Sequence, residues 1–102
     1  MTPSQGSALA GAARAIRRVA PRYPVERVGV FGSVARGDAG PGSDLDVVAL
    51  FSPARTTRDV LLFCADLEDE CGREVNLVTS LEGISAAFEG ELRRDMVVAY
   101  ER

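Results

Sequence analysis

The sequence predicts an α/β (α+β) domain in which a small mixed β-sheet is flanked by helices. Stretches with the apolar spacing of helices alternate with short apolar runs of strand length. The first two runs are joined by a short connection, which favours antiparallel neighbours. A helix separates the second run from the third, which favours a parallel crossover. At 102 residues without an internal repeat, the chain is expected to form one domain, residues 1–102.

The N-terminal part is predicted to be a helix that follows a flexible start at residues 1–6. Over residues 7–19 the apolar side chains share one helical face and the arginines lie mostly on the other. That arginine face is interpreted as solvated or, alternatively, as a docking surface for an acidic partner. Pro21 and Pro24 are expected to end the helix. The apolar face is expected to hold Leu9, Ala12, Ala13, Ile16 and Val19.

Two strands are predicted next, at residues 25–31 and 45–51, because each contains an apolar run, residues 28–31 in the first and residues 47–51 in the second. After the first, residues 34–36 are expected to form a single helical turn. Residues 37–43 are rich in Gly, Pro and Ser and therefore predict a loop.

The C-terminal half is predicted to contain two helices and two short strands. Thr56 or Thr57 is expected to cap a helix that ends near Cys71, with Gly72 as its stop. A strand is predicted at residues 74–79 and a short strand or extended tail at residues 96–100. Between them Ser80 is expected to cap a helical region that Gly90 divides in two. Its expected core residues are Ile84, Ala87, Phe88 and Leu92.

The composition excludes several function classes. A net charge of −3 argues against an extended nucleic-acid-binding surface. With no His and no Lys, the chain has no histidine base or metal ligand and no lysine nucleophile. The sequence shows neither a membrane-length apolar run nor a secretory signal, so a cytoplasmic protein is expected. Cys64 and Cys71 are too far apart along one helix for a disulfide and are interpreted as small core residues.

A Gly-Ser pair and two aspartates form the main functional motif. Gly32 and Ser33 follow the first predicted strand, where a turn can present backbone N–H groups and a hydroxyl to phosphate. Asp44 and Asp46 open the second strand, and alternation along that strand puts both carboxylates on one face. Such a pair needs a positive partner, and magnesium favours oxygen ligands. The pattern therefore predicts a metal–nucleotide site.

The spacing of Gly32-Ser33 and Asp44-x-Asp46, with Arg36 and Ser43 between them, resembles that of the minimal nucleotidyltransferases of the DNA polymerase beta superfamily. More narrowly, it is similar to the antitoxin-type members encoded beside HEPN-domain toxins. The resemblance implies a polymerase-beta-like nucleotidyltransferase fold. It also implies magnesium-dependent transfer of a nucleoside monophosphate, AMP from ATP, to a hydroxyl. In the antitoxin branch that acceptor is a tyrosine of the partner toxin.

The resemblance also implies roles for individual residues. Gly32 and Ser33 would hold the triphosphate, with Ser43 beside them in the nucleotide-binding motif. Asp44 and Asp46 would hold two magnesium ions. Arg36 would contact a phosphate or, equally, brace the loop through a salt bridge to Asp38 or to a strand acid.

The chain departs from the family pattern on the third strand. The family carries a third catalytic carboxylate where this sequence has Asn76. An amide can coordinate magnesium weakly but cannot act as a base. Glu74 is a candidate substitute, because it lies two residues earlier and would share the same strand face. Three outcomes stay open: an active enzyme with Asn76 as a weak ligand, an enzyme that uses Glu74, and a protein that binds nucleotide without transferring it.

Two functional hypotheses follow. The first is a nucleotidyltransferase; the second is an antitoxin-like binding subunit that neutralises its partner by contact and has a weak or inactive site. A chain of this size has no separate acceptor-binding domain, which favours a protein partner over a small-molecule acceptor. A homodimer would be another way to complete the acceptor site.

Overall fold

The computed structural model describes residues 5–102. Four helices and four strands follow one another in the predicted order, with a short 3-10 helix, Ala20–Arg22, after the first α-helix. The predicted α/β class with a small mixed sheet is confirmed. The elements are α1 (Gln5–Val19), β1 (Val25–Phe31), α2 (Gly32–Arg36), β2 (Leu45–Phe51), α3 (Thr57–Cys71), β3 (Val75–Val78), α4 (Ala86–Asp95) and β4 (Val97–Glu101).

The sheet has the strand order β3-β2-β1-β4. As predicted, β1 and β2 are antiparallel and β2 and β3 are parallel, while β4 adds an antiparallel edge strand to β1. In this register Asp46 is paired with Phe31 on one side and with Asn76 on the other. The end of β1, the start of β2 and the start of β3 therefore meet at one edge of the sheet.

Helices α1 and α3 cover one face of the sheet and α4 covers the other. Leu45, Val47 and Ala49 of β2 are buried in the cluster that includes α1 and α3. Val48 packs instead in the smaller cluster around Leu92 of α4. Because side chains alternate along a strand, Asp46 projects from the same face as Val48. The candidate site thus lies on the α4 side of the sheet.

The N-terminal helix begins earlier than predicted. The predicted flexible start lies largely outside the described residues, since it includes residues 1–4. Where the two overlap, Gln5 and Gly6 are already helical. The apolar face of α1 is confirmed: Ala12, Ile16 and Val19 are buried, and Leu9 and Ala13 pack against the same core.

The predicted start of the last helix was wrong. Ser80 caps only a local turn, in which its hydroxyl accepts a hydrogen bond from the Glu82 N–H. Gly83 then has φ +74°, a left-handed conformation that a helix interior does not allow. The true cap is Ser85, whose hydroxyl accepts from the N–H of Phe88.

Two further expectations about α4 were wrong. The helix continues through Gly90 without a break. Ala87 is exposed and does not join the core, whereas Leu92 is buried and Ile84 and Phe88 pack beside it. The third strand also proves shorter than predicted, because Glu74 and Thr79 lie just outside β3.

The remaining expectations concern the cysteines and membrane spans. Cys64 and Cys71 are free and half-buried, and burial raises the pKa of both thiols. In residues 5–102, no helix combines the length and apolar character needed to cross a membrane.

Candidate functional site

The structure brings Asp44, Asp46 and Asn76 together. Asp44 immediately precedes β2, Asp46 lies within it, and Asn76 is the residue of β3 paired with Asp46. The Asn76 side-chain amide donates hydrogen bonds to Asp46 Oδ1 at 3.0 Å and to Asp44 Oδ2 at 3.3 Å. One amide nitrogen therefore bridges two carboxylates.

This arrangement fits a cation, although with one carboxylate fewer than the family pattern. The two carboxylates of Asp44 and Asp46 offer hard oxygen ligands, which magnesium prefers. The uncharged amide of Asn76 donates a hydrogen bond to each carboxylate. The Asn76 Oδ1 is a further oxygen of the kind that can coordinate magnesium. Across residues 5–102, no group of three His, Cys, Asp or Glu residues is arranged to hold a metal.

Gly32 lies directly against Asp46. It has φ +72°, in the left-handed region that favours glycine. A Cβ placed on Gly32 would lie 3.0 Å from Asp46 Cγ and closer still to Oδ2. Both the backbone conformation and the space beside the carboxylate thus require glycine here. Ser33, the second residue of α2, follows in the same short helix and is half-buried.

Glu74 stands apart from this cluster. It precedes β3, where its backbone carbonyl accepts a hydrogen bond from the Leu45 N–H at 2.8 Å. Its side chain is exposed and makes no salt bridge or hydrogen bond with another described residue. The structure therefore does not bring the candidate substitute carboxylate into contact with Asp44 or Asp46.

Arg36 is engaged in ion pairs. Its guanidinium lies 3.3 Å from Asp38, 3.6 Å from Asp95 and 3.9 Å from Glu91. The hydrogen bond with Asp38 raises the pKa of Arg36, and the charge of Asp95 adds to the effect. The salt bridge to Asp38 is thus present, and Arg36 also ties α2 to two acids of α4. A phosphate contact by Arg36 stays a prediction.

Ser43 is committed to a turn at residues 40–43, called here the 40–43 turn. The Ser43 hydroxyl accepts a hydrogen bond from the Gly40 N–H at 2.9 Å, and the Ser43 N–H donates to the Gly40 carbonyl at 3.2 Å. The hydroxyl can still donate its own proton to a ligand. The expected contribution of Ser43 to nucleotide binding stays a prediction.

Arg73 is a residue near the site that the sequence did not indicate. Its Nη1 donates to the carbonyl of Gly40 at 2.9 Å and to the carbonyl of Ser43 at 2.8 Å. The available signal was its place just before β3, because parallel pairing brings the start of β3 beside the start of β2. Sequence patterns do not reveal which backbone carbonyls a guanidinium will meet.

Known proteins resemble this chain in sequence. A family model described as a nucleotidyltransferase domain matches residues 13–99. A relative from Methanocaldococcus jannaschii, named a protein adenylyltransferase, is 31% identical over 58 residues, which cover 57% of this chain and 62% of the relative. The match thus spans less than two thirds of that relative's length.

Solved structures add evidence on the fold. A structure described as a minimal nucleotidyltransferase is 33% identical, with a TM-score of 0.68 over 83% of this chain and 86% of its own. A Shewanella oneidensis structure contains a tri-AMPylated HEPN toxin in complex with an MNT antitoxin. Its matched chain is 15% identical, with a TM-score of 0.57 over 96% of this chain and 73% of that one, a likeness of fold alone.

Proposed function

Because the chain belongs to the nucleotidyltransferase domain family, we propose that it transfers a nucleoside monophosphate, AMP from ATP, to a hydroxyl of a partner protein. The observation that carries this proposal is the pair of carboxylates, Asp44 and Asp46, bridged by the amide of Asn76, with Asp46 directly against Gly32. A domain with a purely structural role would not need two carboxylates on one amide. Nor would it need them beside a glycine, Gly32, that no larger residue can replace without a clash.

The proposed roles follow from the contacts. Asp44 and Asp46 would hold magnesium, which when bound neutralises phosphate charge and favours displacement at phosphorus. Gly32 lets the Asp46 carboxylate lie directly against the backbone, and Ser33 would add a hydroxyl donor for a phosphate. Catalysis by these residues would consist mainly of orienting the reactants and of stabilising charge.

Asn76 limits what this chain can do with the acceptor hydroxyl. A carboxylate at this position could accept the hydroxyl proton, whereas the carboxamide cannot. Glu74 makes no contact with the cluster, which argues against it as the replacement base. We therefore propose a slow transferase in which the acceptor proton passes to solvent.

The proposed acceptor is a tyrosine of a HEPN-type toxin, and the proposed location is the cytoplasm. Support comes from the fold shared with the chain found in complex with the AMPylated HEPN toxin of Shewanella oneidensis. The M. jannaschii relative named a protein adenylyltransferase also supports a protein acceptor.

Intact-mass measurement tests the transfer. The protein is incubated with ATP, magnesium and a HEPN-domain protein as the proposed partner, and the partner is expected to gain the mass of one or more adenylates. Asp44→Ala should abolish the gain. Asp69→Ala removes an exposed acid on the distant helix α3 and should leave the gain unchanged. No gain at saturating ATP and magnesium would refute the transferase.

The second candidate is a subunit that neutralises its partner by contact alone, and the amide of Asn76 is the observation that favours it. Isothermal titration with magnesium–ATP separates this candidate from a live nucleotide site. Binding that disappears in Asp44→Ala supports a live site. Neutralisation of the partner by Asp44→Ala without any nucleotide supports the contact mechanism.

A further inference from the structure

Arg73 connects the start of β3 to the loop that carries Asp44. Its Nη1 lies 2.9 Å from the Gly40 carbonyl oxygen and 2.8 Å from the Ser43 carbonyl oxygen. These two carbonyls belong to the first and last residues of the 40–43 turn. The guanidinium therefore bridges both ends of the turn, and Asp44 is the next residue along the chain.

The loop is anchored at its start, where the Asp38 N–H donates to the Ser33 carbonyl at 2.8 Å and Ala39 packs against the core. Residues 37–44 lie outside the helices and strands, and Pro41 and Gly42 are exposed. Inside the turn, Gly40 and Ser43 are joined by two short-range hydrogen bonds. Glycine positions leave the backbone many conformations in the absence of external contacts. A charged donor from a distant part of the sequence is the kind of contact that selects one of these conformations.

The side-chain hydrogen bonds of Arg73 are confined to one part of the protein. Both of its side-chain bonds go to the 40–43 turn, and none of the salt bridges among the described residues involves it. Pairing with surface acids therefore does not explain its placement. Its neighbour Glu74 accepts the Leu45 N–H through its carbonyl, so the backbone at residues 73–74 also contacts the residue after Asp44.

We propose that Arg73 is a positioning residue that holds the Asp44 carboxylate in the geometry needed to bind magnesium. The proposal rests on the proposed function, because it assigns Asp44 to the metal. Arg73 acts through the carbonyls of Gly40 and Ser43 and does not itself touch the nucleotide. Residues that orient a metal ligand in this indirect way typically change metal affinity roughly 10–100-fold when they are replaced.

The test compares Arg73→Met with Arg73→Lys and with the control Arg58→Met. Methionine keeps an apolar stem but removes the donors, whereas lysine keeps a charged donor that can reach the carbonyls less rigidly. Arg58 is an exposed arginine on α3 outside the salt bridges of the described residues. The measurements are amide hydrogen exchange at Gly40, at Ser43 and in β1, ATP affinity without magnesium, and the magnesium concentration that half-saturates ATP binding. The melting temperature in chelator checks that each variant folds.

We expect Arg73→Met to exchange faster at Gly40 and Ser43 and to need roughly 10–100-fold more magnesium. ATP affinity without magnesium and the exchange of β1 amides should match the wild type. The exchange rates and the magnesium requirement of Arg73→Lys should lie between those of Arg73→Met and the wild type. Arg58→Met should behave as the wild type. If Arg73→Met does not fold, the lysine variant carries the test, and exchange and magnesium requirement must shift together.

Several results would overturn the inference. Unchanged exchange at Gly40 and Ser43 shows that Arg73 does not hold the turn. Faster exchange with an unchanged magnesium requirement shows that the turn does not position Asp44. If the binding of magnesium–ATP to the wild type does not depend on Asp44, the proposed function itself is refuted. If the wild type shows Asp44-dependent binding and Arg73→Met needs no more magnesium than the wild type, only the role of Arg73 is refuted.

Discussion

Replacing Asn76 with aspartate turns the shared donor between Asp44 and Asp46 into a third carboxylate. Two hydrogen bonds, 3.0 and 3.3 Å long, are lost, and two like-charge contacts take their place. In this solvated site each hydrogen bond contributes about 0.5 kcal/mol, at the low end for such bonds. Each carboxylate contact at a water-like dielectric costs about 1 kcal/mol. Without metal, Asn76→Asp should therefore lose about 3 kcal/mol of unfolding free energy, or roughly 12–24 °C in melting temperature for a domain of this size.

Magnesium should reverse the sign of this effect. Three carboxylates bind a divalent cation better than two carboxylates and an amide, so Asn76→Asp should gain more melting temperature from magnesium than the wild type. If the missing carboxylate limits turnover, the same variant should also transfer adenylate faster. Thermal melts in chelator and in magnesium, together with intact-mass rates, measure all three effects.

Asn76→Ala is the matched control, since it removes both hydrogen bonds without adding charge. Its free energy of unfolding should fall only by the contribution of the two hydrogen bonds, about 1 kcal/mol. Magnesium should raise its melting temperature little. A variant Asn76→Asp that is as stable as the wild type in chelator would refute the electrostatic reasoning. An equal magnesium increment in wild type and Asn76→Asp would show that position 76 does not reach the metal.

Two further substitutions test local geometry. Gly32→Ala forces a side chain into a left-handed conformation against Asp46, so it should cost about 2–3 kcal/mol of stability and weaken magnesium–ATP binding in titration. Gly42→Ala, whose Cβ meets nothing within 4 Å, should stay within about 0.5 kcal/mol, and equal effects of the two would contradict this account. The hydrogen bond that Tyr23 donates to Asp66 raises the pKa of Tyr23, so its stabilisation is present below the unfolded pKa and is lost as pH rises through the folded pKa. Tyr23→Phe should therefore cost about 1 kcal/mol at neutral pH and progressively less in melts above about pH 10; a constant difference would count against the bond.

The two central strands show what local patterns can determine. The predicted residues 25–31 and 45–51 coincide with β1 and β2, because each segment is bounded by residues that interrupt a strand. The start of α4 shows the opposite case. Ser80 and Ser85 are both acceptable caps by residue type, and only the left-handed backbone of Gly83 decides between them. That conformation depends on how the preceding loop packs, which periodicity does not encode.

The candidate site also contains contacts that could be predicted from the sequence and contacts that could not. The convergence of Asp46 and Asn76 could be predicted, because a parallel pairing of two neighbouring strands brings the starts of both to one edge. The ion pairs of Arg36 with α4 and the contact of Arg73 with the 40–43 turn could not. Each joins residues far apart in sequence through long, flexible side chains, whose partners depend on the packed position of whole helices and loops.

The bridge made by Asn76 has a consequence for how the protein behaves without nucleotide. Two carboxylates on one strand face repel each other, and a third carboxylate in place of Asn76 would add to that repulsion until a cation bound. The amide instead supplies a donor to both Asp44 and Asp46 within the protein itself. The fold around the site should therefore depend less on magnesium than the fold of Asn76→Asp does. Under the proposed function, this property would suit a subunit that holds its partner whether or not ATP is bound, and Asn76, which is expected to slow transfer, would then also favour neutralisation by contact.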